Sequence, residues 1–222
     1  IHKVARMRVF FTVFALFLSI NGAAFAQSEL GFYGGLQGSP HSNVSGNDPG
    51  GVGVFDFTAG WEGRSGAMPP YYGFRYTRWT SETLGWGIDF NHAKIYADDA
   101  TLAASGFSRL EFTDGLNLLT LNAFRRWGDT GWSVAPYVGA GLGIAIPHVE
   151  VTSTGGTTFE YQITGPAVQW VAGASYPIND RWSVFGEYKG SYSVNSAELV
   201  SGGFLDTNII TNALNVGVSL GF

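Results

Sequence analysis

The last ten residues of the chain, ALNVGVSLGF, alternate between apolar and small or polar side chains. Every even-numbered residue from Leu214 to Phe222 is apolar, whereas the odd-numbered residues between them are Asn, Gly or Ser. Successive side chains of a β-strand point to opposite faces, so a period of two predicts a strand with one apolar face and one small or polar face.

The same alternation recurs along the chain and predicts eight antiparallel strands. The predicted strands are Glu29 to Gly38, Tyr71 to Trp79, Gly85 to Lys94, Gly115 to Arg126, Trp132 to Ile146, Ala167 to Tyr176, Arg181 to Tyr192, and 209–222. Gly53 to Gly63 also alternates, and we interpret it as an extension within a long first loop. A ten-strand arrangement would use Gly53 to Gly63 and a further strand within Thr101 to Phe112. The segment Ser193 to Asn208 is predicted to be a loop.

The composition indicates that these strands form an all-β, antiparallel transmembrane β-barrel. Glycine accounts for 32 of 222 residues, aromatic residues for 15% and charged residues for only 13%. Residues 1–26 have the basic, apolar and small-residue order of a secretory signal peptide, which leaves 27–222 as the barrel domain. A cleaved signal peptide and a barrel ending in Phe222 predict export to the outer membrane of a Gram-negative bacterium, with the terminal Phe read by the barrel assembly machinery.

Charge and cysteine content exclude some functions. Removing 1–26 leaves 9 basic and 17 acidic residues, a net charge of −8, so nothing supports nucleic-acid binding. The chain contains no cysteine and therefore no disulfide. Short turns in such barrels face the periplasm and long loops face outward, which orients the predicted strands from the C-terminus backwards.

One predicted strand changes character along its length. In GWGIDFNHAKIYADD the outward series Trp86, Ile88, Phe90 continues with His92 and Lys94. The two polar side chains keep the lipid-facing phase but reach the outer end of the strand. Histidine titrates near neutral pH and is a common metal ligand and general base, so His92 is a candidate functional residue at the depth of the lipid headgroups.

Two further histidines of the predicted barrel fall at the same end. His41 follows the first upward strand, and His148 follows the fifth, two residues before Glu150. Polar residues on neighbouring segments accompany them at this end: Arg64, Arg75, Asn91, Glu111, Asp114 and Asn117. Polar outer loops with inert surface histidines would explain the same pattern.

Several long motifs resemble those of the lipid A oxidases of α-proteobacterial outer membranes. They are FTAGWEGR, PPYYGFR, LGWGIDFNHAKIYADD and FSRLEFTDGLNLLTLNAFRRW, and the resemblance covers about Gly31 to Trp127. It implies that the protein oxidises the proximal glucosamine of dephosphorylated lipid A to 2-aminogluconate. It also implies that dioxygen is consumed and hydrogen peroxide produced, without flavin or haem. The sequence shows no NAD-binding motif.

Such an oxidation is difficult for amino-acid side chains alone, so a bound redox-capable divalent metal ion is the first hypothesis. Its candidate ligands are His41, His92, His148 and Glu150. The alternative is a metal-free site in which His92 removes a proton while Lys94 and Arg75 stabilise the oxyanion. The full catalytic set of this hypothesis is His92, Lys94, Asp89, Arg75, Glu111 and Asp114. Substrate binding is assigned to Arg64, Asn91, Asn117 and Tyr72.

Two other classes of function compete with an oxidase. One is a non-enzymatic small barrel that serves as a structural protein, an adhesin or a narrow channel. The other is a lipid A deacylase, for which His41 and Ser42 would supply base and nucleophile, although adjacency in sequence is not catalytic geometry. The expected partners are lipid A or lipopolysaccharide in the outer leaflet, and a monomer is expected.

Overall fold

The computed structural model describes residues 27–128 and 131–222, so the signal peptide predicted for 1–26 lies outside the described residues. The chain forms twelve strands and one described helix. In chain order these are β1 (Ser28–Gly38), β2 (Ser42–Asp48), β3 (Gly53–Ala59), β4 (Trp61–Glu62), β5 (Tyr72–Trp79), β6 (Leu84–Ala97), α1 (Asp99–Ser105), β7 (Arg109–Arg126), β8 (Ala135–Ser153), β9 (Gly156–Tyr161), β10 (Gly165–Pro177), β11 (Trp182–Glu198) and β12 (Phe204–Gly221).

Eight of these strands close into a barrel. The hydrogen-bonded order is β1-β5-β6-β7-β8-β10-β11-β12, and β12 pairs back onto β1 from Gly221 with Glu29 to Asn212 with Gly38. The predicted fold class and the preferred count of eight strands are therefore confirmed. Closure pairs the backbone groups of every barrel strand with both neighbours, which hydrocarbon requires because it offers no hydrogen-bonding partner.

The segment Gly53 to Gly63 stays outside the ring, as predicted. β3 pairs only with β2, and β2 extends the barrel wall by pairing with residues 204–207 of β12. The ten-strand alternative is wrong, because residues 99–105 form α1 rather than a strand. The Asp98 side chain accepts a hydrogen bond from the Thr101 N–H at the start of this helix, and Gly106 ends it in the left-handed conformation.

Several strands continue well past the predicted ends. β11 and β12 remain paired up to Glu198 and Phe204, so the loop predicted for Ser193 to Asn208 shrinks to five residues, 199–203. The extension has its own core, because Leu205 and Ile209 are fully buried. Among the described residues, no helix is both long and apolar enough to cross a membrane.

The two faces of the wall differ as the alternation predicts. Leu121, Leu142, Leu214 and Val216 project outward and are 60–72% exposed in the isolated chain. The start of β1, the end of β12 and the short β5–β6 and β10–β11 turns lie at one end, and the long extensions lie at the other. By the rule that periplasmic turns are short, the extended end is extracellular.

A buried charge network fills the barrel interior. Arg75 donates two hydrogen bonds of 2.8 Å to Glu187 and one of 2.8 Å to Asp89. Lys189 donates to both Asp89 oxygens at 2.8 and 2.9 Å and to the Tyr33 hydroxyl. The network contains two cations and two carboxylates and is balanced. The Tyr137 hydroxyl donates to Glu187 at 2.6 Å.

Arg75 and Tyr137 point into the interior, whereas Arg125 does not. Its strand neighbours are outward-facing Val138 and Leu84, and its guanidinium lies 5.3 Å from the Trp127 ring centre at the periplasmic rim.

We expect Arg75→Met to destabilise the barrel by about 3–5 kcal/mol, because the change leaves Glu187 and Asp89 buried with one cation between them. The measurement is denaturant unfolding in detergent micelles followed by tryptophan fluorescence. Arg125→Met removes an exposed arginine and should change stability by no more than about 0.5 kcal/mol. Equal effects of the two substitutions would contradict the interior network.

Candidate functional site

The candidate site lies on the outward face of β6, β7, β8 and β9, above their apolar residues. His92 pairs with Asn117 across β6 and β7, and Asn117 pairs with Ile146 on β8. His148, two residues further up β8, pairs with Tyr161 of β9. Paired residues share a face of the sheet, and His92 follows Ile88 and Phe90 in phase, so these polar groups face the surroundings of the barrel.

A bulge in β7 shapes the site. The pairing of β7 with β6 shifts between Ala93 and Ile95, where three residues of β7, 113–115, lie opposite Lys94 alone, an excess of two residues. Gly115 has φ +103, and a Cβ at this position would lie 2.3 Å from His92 Nδ1. Only glycine fits here, because both the backbone conformation and the close approach exclude a side chain. The bulge thereby covers His92, which is only 4% exposed.

Glu150 is the hub of the site. Its carboxylate accepts hydrogen bonds from His148 Nδ1 at 2.9 Å, from the Thr113 hydroxyl at 2.6 Å and from the Arg109 guanidinium at 2.7 Å. Asp114 Oδ2 lies 3.9 Å from the same His148 nitrogen. Because a carboxylate only accepts hydrogen bonds, the hydrogen of His148 is on Nδ1 when the ring is neutral, and Nε2 is then available as a base.

His92 is held in a similar way. Its Nδ1 donates to Asn117 Oδ1 at 2.8 Å, and the Asn117 amide donates to the Ile146 carbonyl at 3.2 Å and the Asp114 carbonyl at 3.5 Å. His92 Nε2 is buried and has no hydrogen-bonding partner. A buried polar nitrogen without a partner is costly in a finished fold, and such groups are frequent where a ligand binds.

Aromatic rings surround both imidazoles. Tyr72 stacks on His92 with 4.8 Å between ring centres. Phe159 and Tyr161 lie 4.5 and 4.6 Å from the His148 ring, and the Tyr161 hydroxyl donates to the Asp114 carbonyl. Phe159 and Tyr161 are more than half exposed. They therefore offer ring surface to a ligand beside the two histidines.

The donor set fits a divalent transition metal ion. Among the histidine, cysteine, aspartate and glutamate side chains of the described residues, one group of three has its ligand atoms within 4.8 Å of one another. This group is Asp114, His148 and Glu150. The His148–Glu150 and His148–Asp114 separations, 2.9 and 3.9 Å, are in the range of ligands around one ion with bonds of about 2.0–2.2 Å. One imidazole with two carboxylates suits iron, manganese or zinc.

The other predicted cations near the site have structural partners. Lys94 is fully buried, and its ammonium donates to the carbonyls of Ala67 and Pro69 at 3.1 and 2.7 Å. Lys94 thus anchors the segment between β4 and β5. Arg64 forms a salt bridge with Glu62 and lies over the Tyr96 ring.

Glu111 lies beside Glu150 on the extracellular extension of the barrel and forms a 2.9 Å salt bridge with Arg109. Partial burial raises the pKa of Glu111 above its usual value, the charge of Arg109 opposes this change, and the neighbouring Glu150 adds to it. The side chain thus shares Arg109 with Glu150 at the edge of the site.

Four further predicted site residues, besides Lys94 and Arg64, lie away from this cluster. Arg75, Asp89 and Asn91 point into the barrel, on the face of the wall opposite to His92; the Asn91 amide donates to Tyr71 and Tyr33. His41 is exposed and acts electrostatically on Asp98 at the start of α1. The structure therefore brings together His92, Asn117, Tyr72, Asp114, His148 and Glu150.

Sequence reasoning missed Arg109, Thr113, Phe159 and Tyr161. Phe159 and Tyr161 belong to β9, a short strand that was not predicted and pairs only with β8. The signal for it was the Gly155–Gly156 pair followed by alternating residues, which is typical of a hairpin turn.

Comparison with known proteins gives the family and the fold. A family model described as outer membrane protein beta-barrel domain matches residues 12–222. The crystal structure of neisserial surface protein A covers 91% of this chain and 100% of its own, with 16% identity and a TM-score of 0.50. The solid-state NMR structure of AlkL in lipid bilayers covers 91% and 93%, with 15% identity and a TM-score of 0.53. No curated protein sequence matches the chain.

We expect Glu150→Ala to lower the free energy of unfolding by about 1–3 kcal/mol, because the buried donors of His148 and Thr113 lose their acceptor. Glu160→Ala, on the exposed β9, is the matched control and should change stability by no more than about 0.5 kcal/mol. Unfolding midpoints in the same detergent compare the two variants. A Glu150 variant as stable as the control would mean that Glu150 is not the hub.

Proposed function

The chain belongs to the outer membrane protein beta-barrel domain family and lies in the outer membrane of a Gram-negative bacterium, and on that premise we propose that it is an enzyme that oxidises lipid A. The proposed reaction converts the proximal glucosamine to 2-aminogluconate with dioxygen and releases hydrogen peroxide. The observation that carries the proposal is the position of the site. Two histidines and two carboxylates lie on the outward face, above the apolar residues, where the sugars of outer-leaflet lipid A meet the barrel.

The surroundings of the two histidines support a sugar ligand. Exposed Phe159 and Tyr161 offer apolar ring faces on which the C–H groups of a pyranose can lie. The Tyr161 hydroxyl is held by the Asp114 carbonyl. Arg109 and Glu111 border the site with opposite charges. The unpartnered Nε2 of His92 is available to a sugar hydroxyl.

The proposed reaction balances as a two-electron oxidation. The hemiacetal form of the sugar, one dioxygen and one water give the open acid and one hydrogen peroxide. The O–H and C–H bonds at the anomeric carbon break, and two electrons pass to dioxygen. In the metal-free form of the scheme, His148 Nε2 takes the hydroxyl proton, and Glu150 stabilises the resulting imidazolium through Nδ1. His92 orients the sugar through Nε2.

In the metal-bound form, His148, Glu150 and Asp114 would hold a divalent metal ion, and His148 would then be a ligand rather than the base. When bound, a redox-capable ion supplies a path for electrons from the sugar to dioxygen, which side chains lack. Without the ion, Arg109 is the cation closest to the hub, since Lys94 and Arg75 have other partners. Asn117 positions both His92 and the metal-ligand group, because it contacts the His92 ring and the backbone of Asp114.

The competing functions find less support in the geometry. In the described part of the chain, the Ser42 hydroxyl contacts the Thr207 hydroxyl and accepts a hydrogen bond from Trp61 rather than pairing with His41. That arrangement does not favour a deacylase. The Arg75–Glu187–Asp89–Lys189 network crosses the interior, which does not favour a solute channel.

We expect His148→Ala and His92→Ala each to lower kcat/KM for lipid A oxidation by at least about 100-fold, the usual contribution of a positioned acid–base group. Purified protein is incubated in air with lipid A that has a free anomeric hydroxyl. Mass spectrometry then measures the gain of one oxygen atom, and a peroxide assay measures the second product.

Glu82→Ala, in the exposed periplasmic turn between β5 and β6, is the control and should keep full activity. All variants should retain the heat-modifiable gel mobility of a folded barrel. Loss of an acyl chain from the substrate would indicate the deacylase, and no change with wild-type protein would indicate a non-enzymatic barrel. Full turnover in the His148 variant would rule out the proposed base.

Chelation tests the metal separately. We expect exhaustive treatment with a chelator to abolish the oxidation of lipid A. Adding back one equivalent of a redox-capable ion, iron or manganese, should restore it, because the side chains alone offer no path for electrons from the sugar to dioxygen. Metal content before and after treatment is measured by atomic emission. Activity that survives in metal-free protein would favour the base-only mechanism.

A further inference from the structure

The segment between β4 and β5 carries an outward element that the candidate site does not use. Its tip, residues 65–70 with the sequence SGAMPP, is named here the Met68 loop. The loop contains no charged side chain, and Met68 is 84% exposed in the isolated chain. A single exposed apolar side chain is common on protein surfaces, so the position of the loop decides what Met68 contacts.

The loop lies where β5 cannot extend the barrel wall any further. Gly34 of β1 pairs with Tyr72, and Tyr72 pairs with His92 of β6. Two residues further up, the same register would place residue 70 between Leu36 and Lys94. Residues 69 and 70 are prolines, which lack the N–H groups that a strand with two neighbours needs. The chain therefore joins the wall only from Tyr72 onwards, and the residues before it form the loop.

Lys94 holds the loop on the outer side of the wall. Ala93 and Ile95 are fully buried towards the interior, so Lys94 between them points in the opposite direction. Its ammonium donates to the carbonyls of Ala67 and Pro69 at 3.1 and 2.7 Å. The loop thus covers Lys94 from the outside, and the exposed methionine lies between the two acceptors.

Several backbone groups of the loop are paired within the protein. Ala67 donates to the Arg64 carbonyl at 2.9 Å, and Tyr71 donates to the Ser65 carbonyl at 2.8 Å. The Ser65 hydroxyl accepts from the Gln37 N–H at 2.8 Å, which ties the loop to β1. The two prolines have no N–H to satisfy. Each of these features lowers the cost of moving the loop out of water.

Below the loop, the outward face of the barrel is apolar. Phe32 and Phe74 pair across β1 and β5, are about half exposed, and have ring centres 5.1 Å apart. Tyr72 lies 5.4 Å from the Phe74 ring. Leu36, on β1 beside the loop, is 76% exposed. Met68 therefore extends a surface that already faces the hydrocarbon.

We propose that the Met68 loop inserts into the outer leaflet, with Met68 in contact with the hydrocarbon of the surrounding lipids and with Lys94 holding the loop in this position. The loop meets the outer leaflet because it lies at the extracellular end of β5 and β6, next to Tyr72 and His92. Its partner is the apolar part of a lipid, because the tip offers no charge to a headgroup. Insertion of this kind depends only on the loop and the wall and is independent of lipid A oxidation.

Site-directed spin labelling measures the surroundings of Met68 directly. The chain contains no cysteine, so Met68→Cys introduces a single position for a nitroxide label. The full barrel is reconstituted in vesicles of dimyristoylphosphatidylcholine, and EPR gives the collision rates of the label with dioxygen and with a neutral, water-soluble nickel chelate. Dioxygen concentrates in hydrocarbon, whereas the polar chelate is excluded from it.

Two reference labels define the scale. Val54, near the extracellular start of β3, and Leu142, on the outward face of β8, are 84% and 71% exposed. Val54→Cys should report water, and Leu142→Cys should report hydrocarbon. We expect the ratio of dioxygen to chelate collisions at Met68→Cys to be at least about threefold above that at Val54→Cys, because the label lies in lipid. A ratio equal to that of Val54→Cys would overturn the proposal.

A second substitution tests the role of Lys94. Lys94→Met keeps a long side chain but removes the donor to the carbonyls of Ala67 and Pro69. In the Met68→Cys background we expect it to lower the collision ratio at least about twofold and to narrow the EPR spectrum, because the loop loses its attachment. Arg125→Met, at the periplasmic rim, is the matched control and should change neither value. Equal ratios for the two double variants, both with the heat-modifiable mobility of a folded barrel, would overturn the holding role of Lys94.

Discussion

The requirement that every backbone N–H and C=O be paired within hydrocarbon determines the rest of this structure. It forces eight strands into a ring, and a closed ring of strands has only an inside and an outside. Alternation along each strand then distributes chemistry between them: charges that cancel one another inside, apolar side chains outside. Charged and titratable residues on the outward face fit best outside the hydrocarbon, and His92, His148 and Glu150 lie towards its extracellular side.

The candidate site arises from a local departure from this regular pairing. Residues 113–115 of β7 form a bulge with two residues in excess, which turns Thr113 and Asp114 towards Glu150 and His148 while Gly115 passes over His92. Bulges commonly re-aim side chains next to functional sites. Here the bulge also buries groups that would otherwise be open to water, so their hydrogen bonds become stronger and a missing partner becomes more costly.

The period of two was sufficient to predict the barrel, its eight strands and the outward phase of His92, because these depend on alternation alone. Alternation also contained information that the site prediction did not use: Arg75 lies between Phe74 and Tyr76, and Asp89 between Ile88 and Phe90, so both had to point inward. The convergence of Asp114 with His148 and Glu150 could not be predicted, since it depends on an irregular register. Phe159 and Tyr161 were missed because β9 is a short addition to the edge of β8 outside the membrane.

The site occupies one side of the barrel, on the strands β6 to β9, rather than its mouth. A ligand from the bulk medium could approach a mouth from a whole hemisphere, but this site faces along the plane of the membrane. If the proposed function holds, encounter with a lipid is a search in two dimensions, in which the barrel must also be rotated so that β6 to β9 face that lipid. Rotation of the barrel about the membrane normal, and the crowding that restricts it, would then set how often a neighbouring lipid finds the site.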